Sequence, residues 1–286
     1  MPHIQTARLR HHYLEHGTGD GTPVLFIHGN LGCGDWISLA LPHLPSGMRV
    51  IAPDWRGCGD SDKPVPDQDF DNYSMQTHAA DMLALLDALQ INYCHLATHS
   101  TGDFIASHML LQQPERFGRV LSLAPVGPMA LAFTEQQIAG FAVMRDDSAV
   151  CWSALATAVS SLFRPETLGG SGLPVFRETA GEAQRRHFQH LVGRTRQLSD
   201  GIWLGTPTQL NREHRSGGLR RHQAALRHPR RILWGELDAW IPRADVEEMQ
   251  AQMPACRLDV IPGIGHSMNV EAPEAYATAL RDFLSD

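Results

Sequence analysis

Short apolar runs alternate with longer segments of helical period along the first half of the chain. Four of these runs are bounded by Gly, Pro or Asp and predict β-strands. They cover residues 23–28, 48–54, 93–98 and 119–124. Between the second and third runs, the apolar residues of 74–90 fall on one helical face, and Ser74 is suited to cap that helix. Strands that alternate with helices in this way are typical of a mainly parallel sheet.

The strand pattern resumes late in the chain, at residues 231–235 and 257–262. Helices are predicted near 243–253 and 273–284. The sheet therefore continues after a long gap, and we predict that the core domain consists of residues 1–125 and 230–286.

The gap, residues 126–229, predicts a helical cap inserted into the core domain. It contains clusters of Met, Ala, Phe and Trp and a Gly-rich break at 169–172. A loop of such length without secondary structure is improbable, so we expect helices there. The predicted cap helices cover residues 134–144, 148–163 and 178–192.

Composition and charge favour a globular protein that acts on a small molecule. Of the 286 residues, 43% are hydrophobic and 19% are charged, against about 25% charged in a typical protein, so a large core can be buried. The 24 Lys and Arg against 31 Asp and Glu give a net charge of -7. A basic excess is what binding to nucleic acid or to an anionic membrane normally requires, and we expect neither partner.

The cysteines and the start of the chain predict a cytoplasmic protein. Five dispersed cysteines form no C-x-x-C pair, which argues against a disulfide framework or a zinc site and favours a reducing compartment. The first residues contain no apolar signal segment, and the chain has no uninterrupted apolar stretch of about 20 residues.

The segment Thr98-His99-Ser100-Thr101-Gly102 has the form of a nucleophile elbow between a predicted strand and a helix. Such a sharp turn strains the serine backbone and needs small residues on either side. Gly102 meets that need, whereas Thr98 stands where a glycine is more usual and suggests a slightly wider turn. A helix-capping serine is the alternative for the pentapeptide taken alone.

A serine hydroxyl becomes a nucleophile when an imidazole accepts its proton and a carboxylate orients the imidazole. Asp238 follows the strand at 231–235, and His266 follows the strand at 257–262. The carboxyl ends of parallel strands meet at one edge of a sheet, where ligands bind. We therefore predict that Ser100, Asp238 and His266 converge, with nearby Glu236 as a surface or loop-bracing carboxylate.

The chain resembles the α/β-hydrolase superfamily, whose catalytic residues occur in the order Ser, Asp, His. The resemblance covers nearly all of the chain outside the cap. Its motifs are the elbow, His28-Gly29, the segment 54–61 (DWRGCGDS) and Gly265-His266. It implies an α/β fold: a mostly parallel eight-stranded sheet with helices on both faces, a hairpin at 3–15 and a helical cap. The sixth strand is followed by no carboxylate, which leaves Asp238 as the acid.

The same resemblance implies an oxyanion hole made by the backbone N–H groups of Asn30 and Thr101. Losing one such donor typically costs about 3 kcal/mol of transition-state stabilisation. An asparagine at the position of Asn30 is also a feature of the haloalkane dehalogenases. Their reaction needs an aspartate nucleophile, however, and this chain has Ser100. Some acyl-homoserine lactone hydrolases combine this asparagine with a serine, so a lactone substrate stays open.

We predict a serine hydrolase that cleaves an ester, thioester or lactone through an acyl-enzyme, with no cofactor and no metal. Apolar side chains of the cap and of the catalytic loops are expected to line a mainly apolar substrate pocket. They are Met129, Phe133, Phe141, Trp152, Trp203, Trp240 and Met268. A homodimer is left open. Basic pairs such as Arg230-Arg231 would suit an acyl-carrier protein, although exposed charge is the default interpretation and nothing else supports that partner.

Three other functions stay open at this point. The segment 100–102 locally resembles the cofactor-free haloperoxidases and perhydrolases, carbon-carbon bond hydrolases use the same triad, and the fold can also serve as a non-catalytic receptor.

Other polar residues have structural interpretations. Asp103 is expected to be a first-turn carboxylate favoured by the helix dipole, His28 and Asp54 to brace loops, and His187 and His190 to lie on a solvated face rather than to bind a metal.

Overall fold

Eight strands lie side by side in one sheet in the computed structural model, which describes residues 2–285. Their order in the sheet is β1-β2-β4-β3-β5-β6-β7-β8. The strands are β1 His3–Gln5, β2 Arg10–His16, β3 Val24–Ile27, β4 Val50–Pro53, β5 Cys94–His99, β6 Phe117–Leu123, β7 Arg230–Gly235 and β8 Cys256–Ile261. The first two pairings are antiparallel and all the others are parallel. The predicted fold class and the N-terminal hairpin are confirmed.

Nine α-helices accompany the sheet in the described part of the chain. They are α1 Met75–Ala88, α2 Thr101–Gln112, α3 Glu135–Asp146, α4 Ser148–Ala158, α5 Glu182–Thr195, α6 Thr206–Ser216, α7 Arg243–Gln252, α8 Met268–Glu271 and α9 Pro273–Leu284. Helices α1 and α2 pack on each other, α2 contacts β5, and α9 contacts β6. Ser74 caps α1 by accepting a hydrogen bond from the Thr77 backbone, as predicted.

Residues 126–229 contain α3 to α6, and the eight strands of the sheet all lie in the two flanking segments. Helix α4 ends earlier than the predicted helix 148–163, because the chain turns into a short 3-10 helix at Ser160–Leu162. Helix α5 is displaced toward the C-terminus from the predicted 178–192. Helix α6 was not predicted, although Pro207 in its first turn and Gly217 at its C-terminal cap are standard boundary signals.

The inserted segment has an aromatic core of its own. Trp152 packs edge-on against Phe188 with ring centroids 4.8 Å apart, and Phe163 stacks on Phe176 at 4.3 Å.

Within residues 2–285, no helix combines the length and the apolar character needed to cross a membrane.

Candidate active site

Ser100 lies in the sharp turn between β5 and α2, with φ 52° and ψ -123°. Positive φ is costly for a residue with a side chain and persists only where the surroundings enforce it. Two glycines make the turn sterically feasible. A Cβ on Gly102 would lie 2.1 Å from the Ile27 carbonyl oxygen, and one on Gly29 would lie 2.9 Å from Ser100 Cβ. The local geometry is therefore a strained strand-to-helix turn with Ser100 at its tip, as the predicted elbow requires.

Asp103 lies in the first turn of α2, as expected, but it has a further role in the core. Its side chain is fully buried and forms an ion pair with the equally buried Arg230 of β7. Its Oδ1 also accepts hydrogen bonds from Thr98 (2.8 Å) and Ser122 (2.7 Å). The expectation that Arg230 is exposed is wrong, because β7 lies between β6 and β8 in the sheet and the Arg230 side chain is buried. Thr98 thus uses its hydroxyl in a buried network beneath the elbow.

Asp238 and His266 form a hydrogen-bonded pair at the ends of β7 and β8. The distance from His266 Nδ1 to Asp238 Oδ2 is 2.9 Å, and the two side chains are 3% and 0% exposed. The other oxygen of Asp238 accepts from the backbone N–H groups of Trp240 (2.8 Å) and Ile241 (3.1 Å). A carboxylate at Nδ1 orients the imidazole with Nε2 left to accept a proton.

His99, next to Ser100 in the chain, contacts the loop that carries His266. The two imidazole rings are 4.9 Å apart, and His99 Nε2 lies 3.3 Å from the His266 carbonyl oxygen. Burial holds the pKa of His99 well below its usual range. His99 is therefore neutral. Ser100 Oγ makes no hydrogen bond among the described residues; catalytic hydrogen bonds often tighten only when substrate binds.

A cavity of about 260 Å³ opens beside the elbow. Its lining is formed by Asn30, Thr101, Leu131, Phe133, Phe141, Leu210, Ala239 and Trp240. Thr101 is the first residue of α2, so its backbone N–H has no acceptor within the helix and is available to an anion. The structure thus brings both predicted oxyanion residues to the wall of one mainly apolar cavity.

Three of the seven predicted pocket residues, Phe133, Phe141 and Trp240, line this cavity, and four do not. Trp152 packs in the aromatic core of the inserted segment, and Trp203 is 1% exposed. Met268 is buried at the start of α8, and Met129 lines a neighbouring cavity of about 370 Å³. Trp152, Trp203 and Met268 thus pack in the interior, and an apolar residue type does not reveal whether a side chain faces a cavity or the core. Leu131, Leu210 and Ala239 were missed because nothing in the sequence sets them apart from core residues.

His28 and Asp54 brace the loops around the elbow. His28 Nδ1 lies 2.8 Å from the Gly29 carbonyl oxygen, and burial lowers the pKa of His28 to about 4. Burial alone would raise the pKa of Asp54, but hydrogen bonds from His12 and from the backbone of Gly34 and Asp60 lower it to about 2. His28 is therefore neutral and Asp54 ionised.

The polar groups most similar to a metal site lie away from the cavity lining. Within residues 2–285, one cluster of candidate ligand atoms is formed by His12, Asp54 and Asp60. Arg194 of α5 binds Asp60 at 2.9 Å and lies 3.8 Å from Asp54. Its guanidinium therefore already balances the negative charge of these two carboxylates. His190 bonds Asp35 at 2.7 Å, and burial lowers the pKa of His187 to about 4.

Comparison with known proteins identifies the fold. Residues 22–149 match the family model for the alpha/beta hydrolase fold. A solved esterase, EaEST from Exiguobacterium antarcticum, superposes with a TM-score of 0.76 over 99% of this chain and 98% of that one, at 20% identity. The chain has the α/β-hydrolase fold, and the resemblance inferred from its sequence is confirmed.

Two of the curated relatives are a dienoate hydrolase and a haloalkane dehalogenase. The 2-hydroxy-6-oxo-6-phenylhexa-2,4-dienoate hydrolase of Burkholderia cepacia is 25% identical over 279 residues, which is 94% of this chain and 89% of that protein. A haloalkane dehalogenase of Psychrobacter cryohalolentis is 38% identical over 120 residues, which is 41% of this chain and only 38% of the dehalogenase.

Proposed function

We propose that the protein is a serine hydrolase that cleaves a carboxylic ester, thioester or lactone. The observation that carries the proposal is the buried Asp238–His266 pair at the same sheet edge as Ser100, which sits in a strained elbow. Ser100 Oγ attacks the carbonyl carbon while His266 Nε2 takes its proton, and Asp238 stabilises the imidazolium that forms. His266 then gives the proton to the leaving oxygen or sulfur.

The backbone N–H groups of Asn30 and Thr101 hold the negative oxygen of the tetrahedral intermediate. Donors fixed in place before the reaction cost no reorganisation when the charge develops. Water, activated by the same imidazole, then attacks the acyl-enzyme and releases the acid. Every step uses groups of this chain and the substrate, with no cofactor or metal.

The cavity supports a substrate with a moderately sized apolar acyl group. Six of its eight lining residues are apolar or aromatic, and the two polar ones are the oxyanion residues. Phe133 and Phe141 meet edge-on with centroids 5.7 Å apart and form one aromatic wall. Residues 126–229 supply Leu131 and Leu210 as well, so we propose that this segment acts as the cap.

The reactions named for the two curated relatives agree with the proposed site to different degrees. A dehalogenase needs a carboxylate nucleophile, and the elbow here presents Ser100. Carbon-carbon bond hydrolysis is the second candidate, because the dienoate hydrolase matches along almost the whole chain and the same triad serves such a reaction. We favour the ester, thioester or lactone bond because the lining of this cavity contains the oxyanion residues but no cation for a substrate carboxylate, and Arg220 of the neighbouring cavity is already paired with Glu248.

The test compares wild-type protein with Ser100→Ala. We expect a fluorophosphonate probe to label wild-type protein only, and turnover of p-nitrophenyl acyl esters to fall by about 10⁴ to 10⁶ in the variant with an unchanged Tm. Retention of a tenth of the activity would remove Ser100 as nucleophile. Turnover of a dienone, followed by its absorbance, in the absence of ester hydrolysis would select the second candidate. Dialysis against EDTA should leave activity intact.

A further inference from the structure

One buried carboxylate holds the loop that carries His266. Glu271, the last residue of α8, is 7% exposed. Its Oε2 accepts hydrogen bonds from the backbone N–H groups of Gly265 (2.9 Å) and Ser267 (3.3 Å). These are the residues immediately before and after His266, so Glu271 fixes the backbone on both sides of the imidazole.

The other oxygen of Glu271 reaches the inserted segment. Oε1 accepts from the backbone N–H of Ser161 at 2.9 Å, in the 3-10 helix that follows α4. That turn lies directly against the histidine loop, since a Cβ on Gly265 would be 2.5 Å from Ser160 Oγ. One carboxylate thus joins two segments that are more than a hundred residues apart in the chain.

The same stretch of the inserted segment also reaches the ring of His266. Trp240 stacks on the imidazole with centroids 5.4 Å apart and planes inclined by 21°. Its indole N–H donates to Thr157 Oγ1 at 2.8 Å. Residues 157–161 are therefore linked to His266 along two routes, through Trp240 at the imidazole ring and through Glu271 at the neighbouring backbone.

We propose that residues 157–161 and Glu271 form a clamp that positions His266, so that the inserted segment sets the geometry of the base as well as covering the pocket. This inference rests on the proposed function. Glu271 is a positioning residue, because its contacts are to backbone groups around the base. Three N–H groups approach its two oxygens, and an amide side chain offers only one oxygen. Burial, opposed by these hydrogen bonds, raises the pKa of Glu271 to about 6, so the carboxylate is mostly ionised at neutral pH and at every higher pH.

The test is Glu271→Gln, which keeps the shape but turns one acceptor into a donor. Glu236→Gln is the matched control, because Glu236 accepts from Gly263 in the same loop at 3.2 Å but is exposed. On a p-nitrophenyl ester at pH 8 we expect E271Q to lower kcat about ten- to a hundredfold, by analogy with the loss of groups that orient metal-bound imidazoles, with KM changed by less than about twofold. E236Q should match wild type.

A second variant, Thr157→Val, removes the acceptor of the Trp240 indole at constant shape and should also lower kcat without raising KM. A folded E271Q protein with wild-type kcat would overturn the clamp, as would an equal loss in E236Q. Should E271Q not fold, T157V decides, and wild-type kcat there would overturn the clamp. Amide exchange separates the two proposals. Faster exchange at Gly265 and Ser267 in E271Q reports the clamp even if Ser100→Ala shows that Ser100 is not the nucleophile.

Discussion

The buried pair of Asp103 and Arg230 gives the sharpest test of how the core beneath the elbow is stabilised. Their side chains are 0% and 2% exposed, and Arg230 also donates to Ser122 at 2.7 Å. Replacing Arg230 by Met keeps the length of the side chain but leaves the Asp103 carboxylate buried without its cation. Breaking a buried pair from one side costs about 3 to 5 kcal/mol, because the remaining charge stays desolvated.

For a domain of this size, about 2 °C of Tm corresponds to each kcal/mol. We therefore expect Arg230→Met to lower Tm by about 6 to 10 °C. The double variant with Asp103→Asn removes the uncompensated charge and keeps an oxygen that can accept from Thr98 and Ser122. It should recover most of the loss, since a neutralised pair is often as stable as the charged one.

Thermal unfolding of wild type, both single variants and the double variant completes a double-mutant cycle. Neither side chain lines the cavity, so kcat per folded molecule should stay within a few-fold of wild type in every variant. A loss below about 1 kcal/mol in Arg230→Met would refute the reasoning, as would a double variant as unstable as the single one. A selective collapse of kcat would instead show that the pair controls the elbow.

Three further predictions follow from the cavity, the aromatic core and Glu271. Phe141→Ala should shift the acyl-length optimum toward longer chains, by about 0.8 kcal/mol for each methylene newly buried, and an unchanged chain-length profile would contradict this. Trp152→Ala should lower the free energy of unfolding by about 3 to 5 kcal/mol and leave the chain-length profile unchanged. A shifted profile would show that Trp152 lines the substrate pocket. The pKa of Glu271 is raised from 4.5 to about 6, so its favourable contribution is complete below pH 4.5 and is lost as the pH rises through 6. The free energy of unfolding of the wild type should therefore fall by about 2 kcal/mol between pH 4 and pH 8, and that of E271Q should not fall for this reason. Tm is measured for both proteins at both pH values. A difference in Tm between the two proteins that stays constant would contradict the prediction.

The elements of the fold were predictable because their signals are local. The helix predicted at 273–284 coincides with α9, where Pro273 begins the helix and apolar residues recur at helical spacing. The elbow was equally visible, since the strain at Ser100 demands a small residue at Gly102 whatever surrounds the turn. Helix α6 was missed because its buried face is mostly polar, with Thr206, Gln209 and Asn211 beside Leu210, although its boundary residues were present.

Which side chains meet across the molecule was decided only by the tertiary structure. Phe141 and Trp152 are both aromatic residues of the inserted segment. Phe141 lines the cavity, whereas Trp152 packs in the aromatic core of the segment. Periodicity reports that a residue faces an interior and does not say which neighbour it faces there. Asp103 pairs with Arg230, and Glu271 joins Ser161 to the loop of His266. Such contacts bridge a hundred or more residues of chain, and they exist only because the packing of whole elements brings those atoms within hydrogen-bond distance.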